Sequence, residues 1–328
     1  MKYSIICDYC ENFESKTDIG HVNDHQTRKT FEEINRAINN LGVECNIFGG
    51  VPELISAYKG EKEIDNQRMY LNLSDGTNKR YSRVQIPIIC DLLSIMYSGG
   101  GPFETALTSN KYYCSRAVKE YGFSIPRSTL VNNHNDLQYI KNYKSIIKPN
   151  SEGSSIGISE DSVCDTDIDI KNQALKLLSK FPEVLVEEYI PGYDVTCFVI
   201  GNDKIELCEV LSIEHHGKVF FTNEVMEYKD HILETRHFIP SSGIIPEQVL
   251  AKIKDTSITI KNKLKIYDFC RIDYRITEDN EIYFLEINTV PAISMDSQVG
   301  TICKMLKISF EEFMQFIINS VTNRFNHV

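Results

Sequence analysis

The apolar residues of this chain fall alternately into short continuous runs and into repeats at helical spacing. Residues 3–7 form a short run, apolar residues then recur every three or four positions from Phe31 to Leu41, and a second run follows at 43–48. Short runs predict strands, and the repeat predicts a helix. The N-terminal part is therefore expected to begin as strand, helix and strand, which is the start of an α/β fold.

The same patterns predict further strands and helices along the chain. Strands are expected at 69–73, 144–148, 183–190, 195–200 and 205–213, with the last two paired. Helices are expected at 86–95, from a cap at Ser109 to Gly122, at 249–264, and after a capping box formed by Ser309 and Glu312. Residues 214–243 have little periodicity and are predicted to form a long polar loop of the kind that covers sites.

Two alternating runs near the C-terminus flank an Asp-Asn turn at 279–280 and predict a β-hairpin. A turn centred there places Asp273 opposite Glu286 and Arg271 opposite Asn288. All four side chains then share one face of the hairpin, because residues two apart in a strand point the same way. The other face is expected to pack in the core; its residues are Ile272, Tyr274, Ile276, Tyr283, Leu285 and Ile287.

The polar face of this hairpin has two interpretations. Two carboxylates directly opposite each other repel unless a positive charge lies between them. Two carboxylates, an amide oxygen and a guanidinium are the groups that a Mg²⁺-phosphate site requires. A solvated hairpin face, on which the arginine neutralises the acids, accounts for the same residues.

A glycine- and serine-rich loop follows the strand that ends at Lys148. Its small residues, Gly153, Ser154 and Ser155 among them, allow consecutive backbone N–H groups to surround a phosphate while Lys148 supplies a charge. The loop is not a P-loop, because no Gly-Lys-Ser or Gly-Lys-Thr follows the glycines. A phosphate loop and a plain turn are both consistent with the composition.

Length and charge narrow the class of protein. The chain has 328 residues, more than the roughly 250–300 at which a single core stops growing, so two or three subdomains are expected. The 46 acidic residues outnumber the 35 basic ones, which argues against a surface that attracts nucleic acid or an anionic membrane. No apolar run approaches the ~20 residues of a membrane helix, and acidic residues come too early for a signal peptide. A soluble, cytoplasmic protein is predicted.

The ten cysteines are scattered along the chain, mostly within apolar runs, which predicts buried reduced thiols. Cys7 and Cys10 have the spacing of a redox or metal motif. No second pair of this kind accompanies them, so the end of the first strand is the preferred interpretation.

Taken together, several segments resemble the ATP-grasp enzymes and, within them, the D-alanine:D-alanine ligase-like branch. The matching segments are 97–100 with 108–111, KPNSEGSSIG at 148–157, VLVEEYIPGYD at 184–194, CRIDYRI at 270–276 and LEINTVPAISMDS at 285–297. They occur in the family's order and cover about 97–310. The resemblance implies an ATP-grasp fold in three parts: a Rossmann-like N-terminal domain at 1–100, a central lid subdomain at 101–186 and a C-terminal catalytic subdomain at 187–328.

The resemblance also implies an ATP site, a metal site and residues at the reacting groups. ATP would contact Lys111, Lys148, Gly153, Ser154, Ser155, Glu187, Glu188, Tyr189, Ile190 and Asp194, with the adenine amine at Glu187 and the ribose at Asp194. Two Mg²⁺ ions, for which Mn²⁺ can substitute, would be held by Asp273, Glu286 and Asn288. Arg271, Ser154 and the backbone near Ala292 would act at the reacting groups, and Ser297 would hold the acceptor's carboxylate.

Four features depart from the family pattern. Asp194 stands where the ligases have Glu, Met226 where the lid has Lys, and Ala292 where the oxyanion hole has Gly. The Gly-Gly-x-Ser-x-Glu strand end that presents an acid to the first substrate's ammonium group is absent. Candidates for that role are Glu11, Glu14, His21 and His25, and the spacing selects none of them.

The activity implied is that of an ATP- and Mg²⁺-dependent carboxylate-amine ligase. It would form an acylphosphate, then a peptide or amide bond, and release ADP and phosphate. Its partners would be a small-molecule carboxylate donor and an amine acceptor, both expected to be amino acids, with no nucleic acid or membrane partner and with dimerisation typical of the family. The alternatives are a true D-alanine:D-alanine ligase of peptidoglycan synthesis and a nucleotide-binding protein that no longer ligates.

Overall fold

The structure is a computed structural model that describes residues 1–9, 26–77, 81–227, 230 and 235–326. The strands are β1 (Lys2–Ile6), β2 (Glu44–Gly49), β3 (Met69–Asn72), β4 (Met96–Tyr97), β5 (Ser128–Val131), β6 (Ser145–Pro149), β7 (Val163–Cys164), β8 (Val184–Glu188), β9 (Gly192–Gly201), β10 (Ile205–His215), β11 (Phe220–Phe221), β12 (Arg236–Pro240), β13 (Phe269–Ile276) and β14 (Ile282–Asn288). The α-helices are α1 (Arg28–Asn40), α2 (Val51–Tyr58), α3 (Gln85–Leu93), α4 (Pro102–Thr108), α5 (Lys111–Glu120), α6 (Asp167–Leu178), α7 (Glu247–Lys263), α8 (Gln298–Leu306) and α9 (Phe310–Asn326). Short 3₁₀ helices span Ser82–Val84, His134–Tyr139 and Glu160–Ser162.

The first sheet is parallel and has the strand order β2-β1-β3-β4. Helix α1 packs on it through Phe31, Ile34 and Ile38, which are buried as their spacing predicts. The C-terminal helix α9 joins the same core, where Phe313 lies together with Tyr3. The strand, helix and strand predicted at the N-terminus are confirmed. Helix α9 packs against this N-terminal sheet.

The second sheet is antiparallel, with the order β5-β8-β6-β7, and its strands come from residues 128–188. Helix α6 covers one face and buries Ile170, Ala174 and Leu177 there. These residues belong to a core cluster of their own. The division of the chain at residues 100 and 186 stays a prediction.

The third sheet has the order β12-β10-β9-β13-β14, with β11 beside β9. Helix α7 covers one face with Ile253 and Ile260. The opposite face of β9 is apolar at one end and polar at the other. Phe198 packs in the core shared with the first sheet, whereas Asp194 and Thr196 are polar. Alternate residues of a strand share a face, so this polar stretch is presented on one side of the sheet. It forms the floor of a cleft.

One of the two predicted helix starts is wrong in detail. The helix predicted to begin at Ser109 is capped by Asn110, whose side-chain oxygen accepts a hydrogen bond from the Tyr113 backbone N–H at 3.0 Å. Ser109 instead ends α4, a seven-residue helix too short to show a period. The final capping box is confirmed, because the Ser309 N–H donates to Glu312 at 2.7 Å and the Glu312 N–H donates to the Ser309 hydroxyl at 3.1 Å.

Residues 214–243 are not a plain loop. Strand β12 lies within them and pairs antiparallel with β10, placing Arg236 opposite His215. Strand β12 is the edge of its sheet, and its residues are at most partly buried. Because neither face of an edge strand of this kind is fully apolar, the hydrophobic pattern does not reveal it.

A β-bulge in β14 overturns part of the predicted core face. The register shifts between Asp273 and Tyr274, so that Tyr274 pairs with Phe284 and Leu285 is the extra residue. Phe284 is buried in the core, whereas Tyr283 and Leu285 are only partly buried, and Leu285 lines the cleft. The other predicted core residues, Ile272, Tyr274, Ile276 and Ile287, are buried. Regular alternation predicts the wrong face beyond a bulge.

The nine described cysteines are free thiols, and all but Cys208 are buried. Burial raises the pKa of Cys7 to about 12, which suits an inert structural thiol. Cys10, the other member of the predicted motif, lies outside the described residues. Within the described part of the chain, no helix is long and apolar enough to cross a membrane.

Candidate active site

A cleft of about 960 Å³ lies between the second and third sheets. Its floor is the polar face of β9, β13 and β14, and the glycine- and serine-rich loop after β6 lies on its other side. The predicted site residues that line it are Lys111, Lys148, Gly153, Ser154, Ser155, Asp194, Arg271, Asp273, Glu286, Asn288, Ala292 and Ser297. Residues 187–190 are predicted site residues that do not line it.

The hairpin presents its charged residues as predicted. Asp273 pairs with Glu286, and Arg271 pairs with Asn288. Arg271 binds the Asp273 carboxylate with both Nε, at 2.9 Å, and Nη2, at 2.8 Å. Thr196 on β9 donates to the same carboxylate at 2.6 Å. Asp273 is therefore held in one orientation by two neighbours on the sheet.

Glu286 faces two lysines from outside the hairpin. Lys111, the first residue of α5, lies with Nζ 3.0 Å from Glu286 Oε2 and also donates to the Glu152 carbonyl at 2.5 Å. Burial works to raise the pKa of Glu286, but Lys111, Lys148 and Arg271 outweigh it and hold that pKa at about 2. Glu286 is thus ionised at neutral pH and is surrounded by the positively charged side chains of Lys111, Lys148 and Arg271.

The second sheet supplies another buried ion pair beside the cleft. Lys148 on β6 lies with Nζ 2.5 Å from Glu187 Oε1 on β8, the neighbouring strand. Both side chains are largely buried, at 10% and 5% exposure. Next along β8, Glu188 accepts from Arg127 at 2.6 Å, and the Tyr189 hydroxyl donates to the Glu224 carbonyl at 2.8 Å. The last contact joins the end of β8 to the segment after β11.

Asp194, the residue predicted to hold a ribose, is already paired. Its Oδ1 lies 2.8 Å from Arg275 Nε on the adjacent strand β13. Burial raises the pKa of Asp194, although Arg275 opposes that effect. Arg275 also lies over the rings of Tyr189 and Phe221, at 5.4 and 5.7 Å from their centres. Its Nη1 is buried and makes no hydrogen bond to a described residue.

A residue from the N-terminal part of the chain, Arg83, contacts the Asn288 side chain. Asn288 Oδ1 accepts from the Val290 N–H at 3.0 Å and from Arg83 Nη1 at 3.4 Å. Arg83 is itself paired with Asp75, Nε to Oδ1 at 2.6 Å. Arg83 was not predicted from the sequence, because a single arginine in a turn-rich segment carries no local signal.

The backbone conformation of two loops bears on the predicted phosphate loop and on the alanine at position 292. Ser154 and Ser155 adopt positive φ, 46° and 58°, so this loop uses serines as well as glycines for left-handed backbone. Ala292 is not among the residues of positive φ, so a side chain there carries no backbone strain. The Ala292 carbonyl accepts from the Ser297 hydroxyl at 3.2 Å, and Ser297 caps α8 through the Val299 N–H.

Arg236 is a second functional candidate that sequence analysis missed. It lines the cleft and stacks over the Phe238 ring at 4.5 Å. Burial, with repulsion from Arg271, lowers its pKa to about 10, so it remains charged at neutral pH. No described residue accepts a hydrogen bond from its guanidinium or lies within ion-pair distance, although Asp273, Asp194 and Glu286 act on it from farther away. Glu11, Glu14, His21 and His25 lie outside the described residues.

This arrangement suits a phosphate-bearing substrate and hard cations. Asp273 and Glu286 offer carboxylate oxygens, and Asn288 offers an amide oxygen, from one face of a rigid hairpin. Mg²⁺ prefers such ligands. The surrounding lysines and arginines supply the positive charge that transferred phosphoryl groups require.

The same fold is found in solved ligases. The VanG D-Ala:D-Ser ligase from Enterococcus faecalis has a TM-score of 0.71 with this chain at 19% identity, over 98% of this chain and 100% of that one. A D-alanine–D-alanine ligase from Bacillus anthracis, solved in complex with ATP, has a TM-score of 0.70 at 16% identity, over 100% of this chain and 99% of that one. The class that these structures define is one of fold: the chain has the ATP-grasp fold.

The family follows from sequence similarity. The family model described as D-ala D-ala ligase C-terminus matches residues 124–319, more than half of the chain. A D-alanine–D-alanine ligase from Petrotoga mobilis is 30% identical over 259 residues, which is 79% of this chain and 82% of that protein. The chain belongs to the D-alanine–D-alanine ligase family and is an ATP-dependent enzyme that forms C–N bonds and releases ADP.

Proposed function

We propose that this enzyme joins a small carboxylic acid to an amine, both of them amino acids or close analogues, through an acylphosphate, and that its donor site differs from that of the usual cell-wall ligase. The observation that carries the proposal is the opposed pair Asp273 and Glu286, with Lys111 3.0 Å from Glu286. A solvated hairpin face does not require a lysine from another element at this distance.

The chemistry follows from what a carboxylate lacks. It is a poor electrophile, so one of its oxygens first attacks the γ-phosphorus of ATP, and ADP leaves. The amine then attacks the carbonyl carbon of the acylphosphate, and phosphate leaves as the amide forms. Lys111 and Lys148 stabilise the negative charge on the phosphate oxygens, and Arg271 stabilises the charge that develops at the reacting carbonyl. Closure of the loop at 151–157 over the cleft keeps water from the acylphosphate.

Other roles complete the site. Mg²⁺ would be held by Asp273, Glu286 and Asn288 and would neutralise charge on the phosphate oxygens. The adenine amine would reach the Glu187 end of β8, beside the backbone of residues 188–190. The ribose would meet Asp194. Ser154 would cover the transferred group, and Ser297, at the start of α8, would hold the acceptor's carboxylate.

The segment after β1 supports the proposal that the donor site differs from that of the usual cell-wall ligase. After β1, Asp8 is the first acidic residue, but it is buried, and its carboxylate accepts from the Val51 N–H at 3.2 Å and from the Ser74 hydroxyl. It is a structural acid rather than one that awaits an ammonium group. We assign that role instead to the segment containing Glu11, Glu14, His21 and His25.

The lid position that carries lysine in the family pattern is Met226 here. Met226 lines the cleft and brings no charge. Arg236, on strand β12, lines the same cleft and forms no ion pair with any residue that the structure describes. We assign to Arg236 the binding of an anionic group of the reaction, either the transferred phosphoryl group or a substrate carboxylate.

The second candidate is a true D-alanine:D-alanine ligase, which the names of the similar proteins favour. ADP release should be measured with ATP and Mg²⁺, first with D-alanine alone and then with D- and L-amino acids and small acids and amines, singly and in pairs. We expect turnover with a pair other than two D-alanines. Efficient turnover with D-alanine alone would favour the second candidate, and tight ATP binding without turnover on any pair would identify a protein that no longer ligates.

A further inference from the structure

The hairpin turn after β10 brings two histidines side by side. His216 and Gly217 have φ of 51° and 75°, and hydrogen bonds of 2.8 and 3.0 Å between His215 and Lys218 close the turn. Two successive positive φ values are typical of a type I′ turn. Neighbouring strand residues normally point to opposite faces, but the left-handed backbone of His216 brings its ring to 4.2 Å from the His215 ring, centre to centre.

A carboxylate faces both imidazoles. Asp230 is buried, with Oδ1 3.2 Å from His215 Nε2 and 3.9 Å from His216 Nε2. Its orientation is fixed, because Oδ2 accepts from the Glu227 N–H at 2.7 Å and Oδ1 accepts from the Thr235 hydroxyl at 3.0 Å. Hydrogen bonds of this kind to a ligating carboxylate are common around bound metals.

His215 provides an independent observation. Its side chain is 8% exposed, and its buried Nε2 lies 3.2 Å from Asp230 Oδ1 without forming a well-directed hydrogen bond to a described group. A buried polar nitrogen left in this state costs free energy unless another partner satisfies it. A cation between the nitrogen and the carboxylate would be such a partner.

The spacing of the three atoms fits one metal ion. Zinc binds imidazole nitrogen and carboxylate oxygen at about 2.0–2.2 Å, so two ligand atoms of a tetrahedral site lie about 3.3–3.6 Å apart. The measured separations of 3.2 and 3.9 Å lie on either side of this range. All three ligand atoms lie within 4.8 Å of one another.

We propose that His215, His216 and Asp230 form a zinc-class divalent metal site, distinct from the oxygen-only set of Asp273, Glu286 and Asn288. Imidazole ligands favour Zn²⁺ over Mg²⁺. His215 and Asp230 line the cleft, so a fourth coordination position is open to water or to a ligand in the cleft. The ion joins the turn after β10 to Asp230, and the site does not depend on the identity of the ligase substrates.

Zn²⁺ alone, titrated calorimetrically into the full chain in excess Mg²⁺, tests the proposal. Asparagine accepts left-handed backbone readily, so His216→Asn keeps the turn while removing a ligand. We expect one Zn²⁺ per chain in the wild type and a loss of affinity in His216→Asn and in Asp230→Asn beyond the roughly 10- to 100-fold that loss of an outer-shell partner costs. His134→Ala, which changes an exposed histidine on the second sheet, should bind as the wild type does.

Co²⁺ distinguishes this site from the cysteines. The wild type should give the visible absorption of tetrahedral Co²⁺ without a thiolate charge-transfer band, and His216→Asn should lose it. Equal Zn²⁺ affinity in the wild type and both ligand variants would overturn the proposal. A Co²⁺ spectrum dominated by thiolate, unchanged in the variants, would also overturn it.

Discussion

At the scale of single residues, the cations that line the cleft differ in whether a described carboxylate forms an ion pair with them. Lys111, Lys148 and Arg271 each face a carboxylate in the described structure. Arg236 forms no ion pair with a described carboxylate, although it is partly buried and lies near Arg271; Asp273, Asp194 and Glu286 act on its charge only from beyond ion-pair distance. A charge withdrawn from water without a close ion pair destabilises the folded state, so we assign Arg236 to binding rather than to stability.

Replacing Arg236 by Gln should therefore separate activity from stability. We expect kcat/KM to fall by roughly 10- to 100-fold, which is what one hydrogen bond to a charged group contributes. The melting temperature should stay the same or rise. A rise in KM for ATP alone would identify the phosphoryl group as the ligand of Arg236, and a rise in KM for the acid or the amine would identify a carboxylate.

Arg236→Lys and Arg36→Gln are the matched variants for this experiment. Lysine restores the charge and should recover part of the activity. Arg36 lies exposed on α1, so its replacement should change neither the kinetics nor the melting temperature. Unchanged kinetics in Arg236→Gln would contradict the role assigned to Arg236.

At the scale of elements, the loop after β6 depends on close packing at one glycine. Gly157 has a φ of +80°, and a Cβ there would lie 2.6 Å from Pro149 Cγ and 3.0 Å from Phe181. A side chain would meet both backbone strain and a clash with the core beneath the loop. The close packing of this loop against the second sheet therefore requires glycine at residue 157.

Gly157→Ala should destabilise the protein more than Gly122→Ala does. Gly122 has a similar φ, +87°, but open space around its Cβ position, so alanine there bears only the conformational cost of about 1 kcal/mol. We expect the clash at residue 157 to add about 1–3 kcal/mol, measured as the change in free energy of unfolding in urea. Equal losses in the two variants would contradict the close packing of this loop.

Local patterns predicted much of the fold and only part of the site. The hairpin register that opposes Asp273 and Glu286 follows from strand period and turn position, and it is confirmed. The bulge at Leu285 could not be predicted, because it depends on how the strand packs rather than on its own composition. Arg83 and Arg236 reach the cleft from other elements through tertiary packing. Single residues of this kind leave no periodic signal.

At the scale of the whole molecule, the charged groups of the cleft come from separate parts of the chain. Arg83 follows β3, Lys148 lies on the second sheet, and Asp273 and Glu286 lie on the third. Their carboxylates and cations meet only in the folded chain, where they balance one another around a space large enough for a nucleotide. Phosphoryl transfer is therefore expected to depend on the hairpin acids rather than on the loop alone.

The most direct test of this account is Mg²⁺-dependent ADP release by the wild type, Glu286→Gln and Glu281→Gln, with the best substrates of the wild type. Glu281 lies exposed directly before β14, so its variant controls for loss of one charge from the same hairpin. We predict that Glu286→Gln abolishes ADP release while the control keeps full activity. Full activity in a folded Glu286→Gln enzyme would contradict the assignment of the hairpin as the catalytic centre.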